Sequence, residues 1–441
     1  MASLEIETLD ARAADFESRF AKLEQRRAFE RADLVEKVGA LVEDVRQRGD
    51  AAVLDAIERF DGYRLQPSQL RVSAEEIEAG AARVGVEDTA ALALAAERIR
   101  EFHELHVPRG WDEAKVGQRL GQLVRPLDSV GLYVPGGTAP LASTTLMLGI
   151  PAAVAGVRTR AMASPGREHH PAVLAAAKLA GVTALYRVGG VQAVAALAYG
   201  TESIGRVDKI VGPGTAHTQE AKRQVFGQVA IDSEAGPSEV FIIADEAANS
   251  EYLAADLLAQ AEHDARASVV LATPSEQRVA EVAQAIGRQL ASLPRARIAK
   301  ESLARHSALI VTRDLAQACE LANRYAAEHL QLCTVDPERW LPQIHAAGAV
   351  FVGELSPVPI GDYVAGPSHV LPTGGTARFF SVVGVEDFQR RISRIEIGNP
   401  LFEKLALAGS RLARLEGLEG HARALEIRLA PARRSKVDPK T

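Results

Sequence analysis

The spacing of apolar positions changes along the chain. Through the first hundred residues it is three and four, the period of one helix face. Leu92, Ala95, Ile99 and Phe102 form such a stripe, and shorter helices are expected at 31–48 and 50–60, parted by Gly49-Asp50. From about residue 129 short β-rich runs take over, at 130–134, 209–211, 240–243, 268–271, 308–311 and 349–352. Stretches rich in Ala and Leu separate most of them, at 171–180, 192–199, 215–226, 251–263, 275–291 and 314–327, and these predict helices. The alternation predicts α/β architecture: parallel sheets with helices on both faces, in two units. After 384 the pattern is helical again and ends in a charged tail, Arg433-Arg434-Ser435-Lys436, expected to fray.

Composition narrows the class. With 441 residues, 47% hydrophobic, 24% charged and a formal net charge of -6, the chain has the make-up of a soluble globular protein of two or three domains. Both charge signs are interspersed, and no basic excess points to a nucleic-acid partner. One uncharged window, 138–157, raises the question of a membrane span. Pro140, Pro151, Ser143, Thr144 and Thr145 make it a turn, a buried helix and a second turn instead. Two cysteines, Cys319 and Cys333, are too few for a disulfide framework and fit a reducing cytoplasm. The opening residues carry acids early and lack the apolar core of a secretory signal, so a soluble cytoplasmic protein is expected.

Chemistry concentrates in a few short clusters. Gln260 and His263 stand three apart, on one face if the segment is helical, and offer an amide oxygen and an imidazole to a divalent metal such as zinc. Glu328-His329 sets two general acid/base groups side by side. Adjacent helix residues point about 100° apart, so both serve one site only near a helix end, where Leu330-Gln331-Leu332 suggests passage into a strand. The run 361–369, with Asp362, Tyr363, Ser368 and His369, is a polar, constrained loop; Glu416 and His421 form a last acid–imidazole pair. Gly/Pro turns at 135–140, 189–190 and 212–214 follow expected strands and precede expected helices, which suits a nucleotide or cofactor crevice. None matches the G-x-G-x-x-G fingerprint. Each cluster also has an ordinary reading, as a solvated helix face or a common strand-to-helix turn.

Taken in order, these motifs resemble those of the histidinol dehydrogenase family over roughly residues 30–430. The resemblance is carried by Gly131 through Pro140, Gly189-Gly190-Val191-Gln192-Ala193, Ala235-Gly236-Pro237-Ser238-Glu239, Gln260 through Asp264, Glu328-His329-Leu330, Gly361-Asp362-Tyr363, His369 through Thr373, and Glu416-Gly417-Leu418 with His421. It implies two incomplete Rossmann-like units with parallel-rich sheets and small helical N- and C-terminal segments. The first α/β domain is then split, 29–131 and 241–383, with a second, 132–240, inserted in it. A helical arm occupies 1–28, and 384–441 is a helical segment reaching a partner subunit. The implied reaction is the zinc-dependent, NAD-linked, four-electron oxidation of L-histidinol to L-histidine through the aldehyde. Gln260, His263, Asp362 and His421 match the family's zinc ligands, His421 serving a second copy in a homodimer with composite sites. His329 matches the base for the alcohol proton and Glu328 the residue that activates water. Ser238, His369 and Glu416 match substrate contacts; Tyr133, Gln192 and Thr215 match NAD contacts.

The chain departs from the family pattern in places. Thr215 stands at a usual Asn, His217 at a usual aromatic, Ser368 at a frequent Asn, and Val382-Val383-Gly384 at a usual Gly-Leu-Ser. A paralogue oxidising another polar alcohol is therefore a second expectation. A zinc hydrolase without nicotinamide and a non-catalytic binding protein are further ones.

Overall fold

The computed structural model describes residues 6–25, 32–136, 140–234 and 236–429. Gly137, Thr138 and Ala139 of the first Gly/Pro turn, Ala235, and the basic tail at 433–436 lie outside the described residues. The strands are β1 (Glu7–Asp10), β2 (Trp111–Lys115), β3 (Gln118–Pro126), β4 (Ser129–Tyr133), β5 (Thr159–Ala163), β6 (Ala184–Tyr186), β7 (Lys209–Val211) and β8 (Ala230–Ile231). They continue with β9 (Glu239–Ala244), β10 (Ser268–Thr273), β11 (Ala308–Val311), β12 (His329–Cys333), β13 (Ala349–Val352) and β14 (Gln389–Ile397).

One compact unit takes in 1–107 and 126–388 and holds two parallel sheets. The five-stranded sheet runs β6-β5-β4-β7-β8. The six-stranded sheet runs β1-β11-β10-β9-β12-β13. Counted from β4 in one and β9 in the other, both follow the same order, third-second-first-fourth-fifth, with β1 added at an edge of the second. That is the doubly wound order, so two Rossmann-like units are present as expected. β9, β10 and β12 are buried along their whole length; β9 and β10 are accordingly near-continuous apolar runs, while β12 alternates, with His329 and Gln331 on one face and Leu330 and Leu332 on the other.

Helices cover both sheets. Ala32–Arg48 and Asp50–Asp61 match the expected pair and pack against Gly190–Tyr199, while Val86–Glu104 packs on Ala142–Val154. These helices of residues 32–104 thus lie over helices of the five-stranded sheet, whereas β1 and helix Phe16–Glu24 belong with the six-stranded one. Ser250–Ala261 and Glu276–Leu290 pack together beside the six-stranded sheet. The apolar 142–154 segment is one buried helix with Pro151 inside it. Among the described residues no helix is long and apolar enough to cross a membrane.

The second unit, 108–125 with 389–441, contains the sheet β14-β3-β2 and the helices Asn399–Leu415 and Glu419–Glu426. β2 and β3 pair antiparallel around Val116-Gly117, where Gly117 takes φ 79°. Two strands fall where the pattern reads helical. β14 carries Ile392 and Ile395 three apart, a helix-like spacing, yet lies as a strand beside β3. β1 is a short edge strand whose backbone bonds come from β11 and whose one fully buried residue is Leu9.

Candidate active site

A buried polar cluster lies where the six-stranded order reverses, between β9 and β12, at the strands' N-terminal edge. Helix Leu315–Tyr325 ends on Ala326 in the left-handed conformation, φ 49°. That turn lets Glu328 and His329 enter β12 off the helix, so the divergence of helix neighbours does not apply. His329 is buried, and its Nδ1–H donates to the Glu239 carbonyl at 2.9 Å. Nε2 has no hydrogen-bond partner and lies 3.7 Å from Asp362 Oδ1. Glu328, also buried, accepts the Glu239 N–H on Oε2 at 2.9 Å, and the same oxygen is 3.6 Å from His329 Nδ1. Glu239 therefore holds both groups through its backbone, while its own carboxylate accepts the Gly374 N–H at 2.9 Å.

The electrostatics follow from this burial. Desolvation raises the Glu328 carboxyl well above the ordinary range, with the neighbouring carboxylates adding to it. For His329 burial opposes the proton, but Glu328 and then Asp362 outweigh it and raise the imidazole. Burial likewise opposes charge on Asp362, yet the imidazoles of His329, His369 and His263 keep its carboxyl below the usual range.

Asp362 comes from the short helix Val358–Tyr363, which packs beside Ser250–Ala261. Gln260, in the last turn of that longer helix, is 2% exposed, and its Nε2 has no partner. His263, just past the helix end, is exposed and within electrostatic reach of Asp362 and His329. His369 donates from Nδ1 to the Asp362 carbonyl at 2.8 Å, and its Nε2 lies 3.0 Å from the hydroxyl of Thr144. Ser238 is half-buried immediately before β9.

Glu416 and His421 belong to the second unit and are exposed. Among the described residues, no three His, Cys, Asp or Glu side chains are grouped to hold a metal. Gln260, His263 and Asp362 instead offer one amide oxygen, one imidazole and one carboxylate, an incomplete donor set of types that suit zinc. The unpartnered atom of Gln260 is its amide nitrogen, a donor, so a cation would be taken by the amide oxygen.

The glycine turns gather at the other kind of edge, the C-terminal one of the five-stranded sheet, where ligands of doubly wound folds sit. Turns after β4 and β7 flank its switch point. Tyr133, 3% exposed, accepts the Gly190 N–H on its hydroxyl at 3.0 Å and lies 3.3 Å from Thr218 Oγ1. Gln192 is buried. Thr215 is exposed at the start of helix Ala216–Val225, with Oγ1 3.4 Å from Thr218 Oγ1. Gly212 has φ 128°, and a Cβ there would come within 2.2 Å of the Tyr133 carbonyl oxygen, so the turn requires glycine.

A buried ion pair, which the sequence reading passed over, clamps this turn. Lys222 donates to the Gly212 carbonyl at 3.0 Å and pairs with Asp232, which accepts the Gly212 N–H at 2.7 Å. The only sequence signal was a lysine on the apolar face of its helix, one residue after Ala221 and three before Val225. Lys222→Met would strand the Asp232 carboxylate in the interior. A loss of about 3–5 kcal/mol is expected, measured by denaturant unfolding. A loss within error of zero would show that the clamp contributes nothing.

Two sheets of Rossmann order, one ending in glycine turns and the other beginning at a buried acid–imidazole pair, define an α/β protein with the groups for acid–base chemistry. The family model of histidinol dehydrogenase matches residues 24–429. The histidinol dehydrogenase of Syntrophotalea carbinolica is 51% identical over 399 residues, covering 89% of this chain and 92% of that protein. That of Cereibacter sphaeroides is 48% identical over 425 residues, covering 96% and 98%. The crystal structure of histidinol dehydrogenase from Elizabethkingia anophelis superposes with a TM-score of 0.91 at 36% identity, covering 96% of this chain and 98% of that one. The chain belongs to the histidinol dehydrogenase family.

Proposed function

We propose that this protein oxidises L-histidinol to L-histidine through the aldehyde, with zinc and NAD, as the last steps of histidine biosynthesis. The observation that carries the proposal is the buried Glu328–His329 pair with a free Nε2, in a chain of this family. The Glu239 carbonyl occupies Nδ1–H of His329, so Nε2 is the nitrogen that exchanges a proton with the alcohol, and the neighbouring carboxylates strengthen it as an acceptor once it is deprotonated. Glu328, held by the Glu239 N–H, takes a proton from the water that adds to the aldehyde. Two successive oxidations each release a proton, which is why two bases stand together.

Gln260, His263 and Asp362, with the partner's His421, are the residues that would hold zinc. Bound there, zinc would anchor the substrate's nitrogens and NAD would accept the hydride of each oxidation. Ser238, His369 and Glu416 are assigned to substrate, and Tyr133, Gln192 and Thr215 to NAD. Both nitrogens of His369 are already engaged, so its contact with substrate would replace the Thr144 bond.

A homodimer with composite sites is part of the same reading. The second unit leaves Leu407, Leu412, Leu415 and Ile427 more than half exposed, on the helices that carry or flank Glu416 and His421. The two buried free cysteines, Cys319 and Cys333, fit a cytoplasmic location.

The test is NADH formed per molecule of L-histidinol with zinc-loaded protein and excess NAD. Two per substrate are expected, lost on chelation and restored by zinc. No NADH while zinc stays bound would shift the reading to a paralogue acting on another polar alcohol.

A further inference from the structure

Between helix Ser250–Ala261 and β12 the protein buries more polar chemistry than the site above uses. Asp256 is 7% exposed and Gln331 0%, and the Gln331 amide N–H donates to Asp256 Oδ2 at 2.8 Å. Around them the layer is apolar, with Leu253, Leu257, Val240 and Ile242. A carboxylate placed there for packing alone is a poor choice, since an apolar side chain of similar size fills space without the desolvation cost. Burial pushes the Asp256 carboxyl up to about 6, so at neutral pH it is still mainly an acceptor. It therefore sets the direction of Gln331: amide nitrogen towards Asp256, carbonyl oxygen away.

That oxygen, Gln331 Oε1, is buried with no partner, and so is Gln260 Nε2. One is an orphaned acceptor and the other an orphaned donor. Gln260 follows Asp256 by four residues on the same helix face, and Gln331 follows His329 by two on the same strand face. The helix links two parallel strands, so it runs against β12. A step from Asp256 to Gln260 (about 6 Å along the helix) matches the step back from Gln331 to His329 (about 7 Å along the strand). Donor and acceptor lie on facing elements, and Gln260 sits one step from the Asp256–Gln331 bond towards the His329 end.

We propose that Asp256 and Gln331 are positioning residues for the metal ligand Gln260: the carboxylate orients the Gln331 amide, whose carbonyl accepts the Gln260 N–H, so that Gln260 turns its oxygen to the cation. In this structure neither atom has a partner, and the Gln260–Gln331 hydrogen bond would form with the cation in place. An amide can face a cation either way round, and only the acceptor behind it selects the oxygen. The inference rests on reading Gln260 as a zinc ligand.

The test is zinc affinity of the metal-free protein, by chelator competition, beside its thermal unfolding. Asp256→Asn lets both side chains donate and accept, so the Gln331 orientation is lost. Zinc affinity should fall by about 10–100-fold, the usual cost of removing an outer partner of a ligand. Combining Asp256→Asn with Gln331→Glu reverses the pair while keeping an acceptor for Gln260, and should recover most of the loss. A purely structural role would lower the unfolding temperature of the metal-free single variant and leave its zinc affinity alone. Wild-type affinity in folded Asp256→Asn overturns the proposal. If that variant does not fold, Gln331→Met decides, because it removes the acceptor and keeps the volume: weak zinc binding supports the relay and unchanged binding overturns it. A wild-type protein that binds no zinc, or keeps it fully in Gln260→Ala, overturns the metal reading beneath.

Discussion

Glu328→Gln should leave the first oxidation largely intact and slow the aldehyde-to-acid step by about 10²–10⁴-fold, the range for loss of a general base. The amide is nearly isosteric and keeps an oxygen for the Glu239 N–H, so the hydrogen bond at 2.9 Å has a replacement and the fold should hold. What the amide loses is the ability to take a proton from water. His329 keeps its tautomer from the Glu239 carbonyl and still serves the alcohol step. The variant should therefore release aldehyde, with NADH per histidinol falling from two towards one. Supplying the aldehyde directly isolates the second step. Equal slowing of both half reactions would remove the water-activating role from Glu328.

How far the sequence reaches can be seen in the same residues. The strand–helix alternation was enough for two α/β units, because β9, β10 and β11 are continuous apolar runs bounded by helices. β5 and β6 were not legible, since Thr159–Ala163 and Ala184–Tyr186 are short and alanine-bearing, with no period that separates strand from helix. β1 and β14 owe their state to neighbours, β11 and β3, and no local pattern carries that. At the site, Gln260 with His263 and Glu328 with His329 stood out by spacing. Their supports did not. Glu239 acts through its backbone, which any residue type would offer, and Thr144 reaches His369, in a loop, from a helix 225 positions away. Asp256 carried a fainter signal, an acid one helical turn before Gln260 in an apolar stretch. Which edge of the sheet holds the cluster was also hidden. The C-terminal edge is the usual place for ligands, and here the acid–imidazole pair starts β12.

Mixing two inactive variants should produce activity if the site is shared between copies. His329→Ala removes the alcohol base, and His421→Ala removes the ligand assigned to the partner; each homodimer is expected to be nearly inactive. In a heterodimer, one site combines both lesions. The other takes intact His329 from one copy and intact His421 from its partner, and is complete. Random pairing makes about half the dimers mixed, each with one good site, so about a quarter of wild-type activity should return. The variants would be co-expressed with different affinity tags and the mixed dimer isolated, which makes the result independent of exchange rate and raises the expected recovery to about half of wild-type activity. If His421 serves its own chain, the count reverses: each copy of the mixed dimer lacks one essential group, and nothing is regained. A silent mixed dimer, shown intact by its two tags, would confine each site to one chain and leave the exposed apolar face without a catalytic reason.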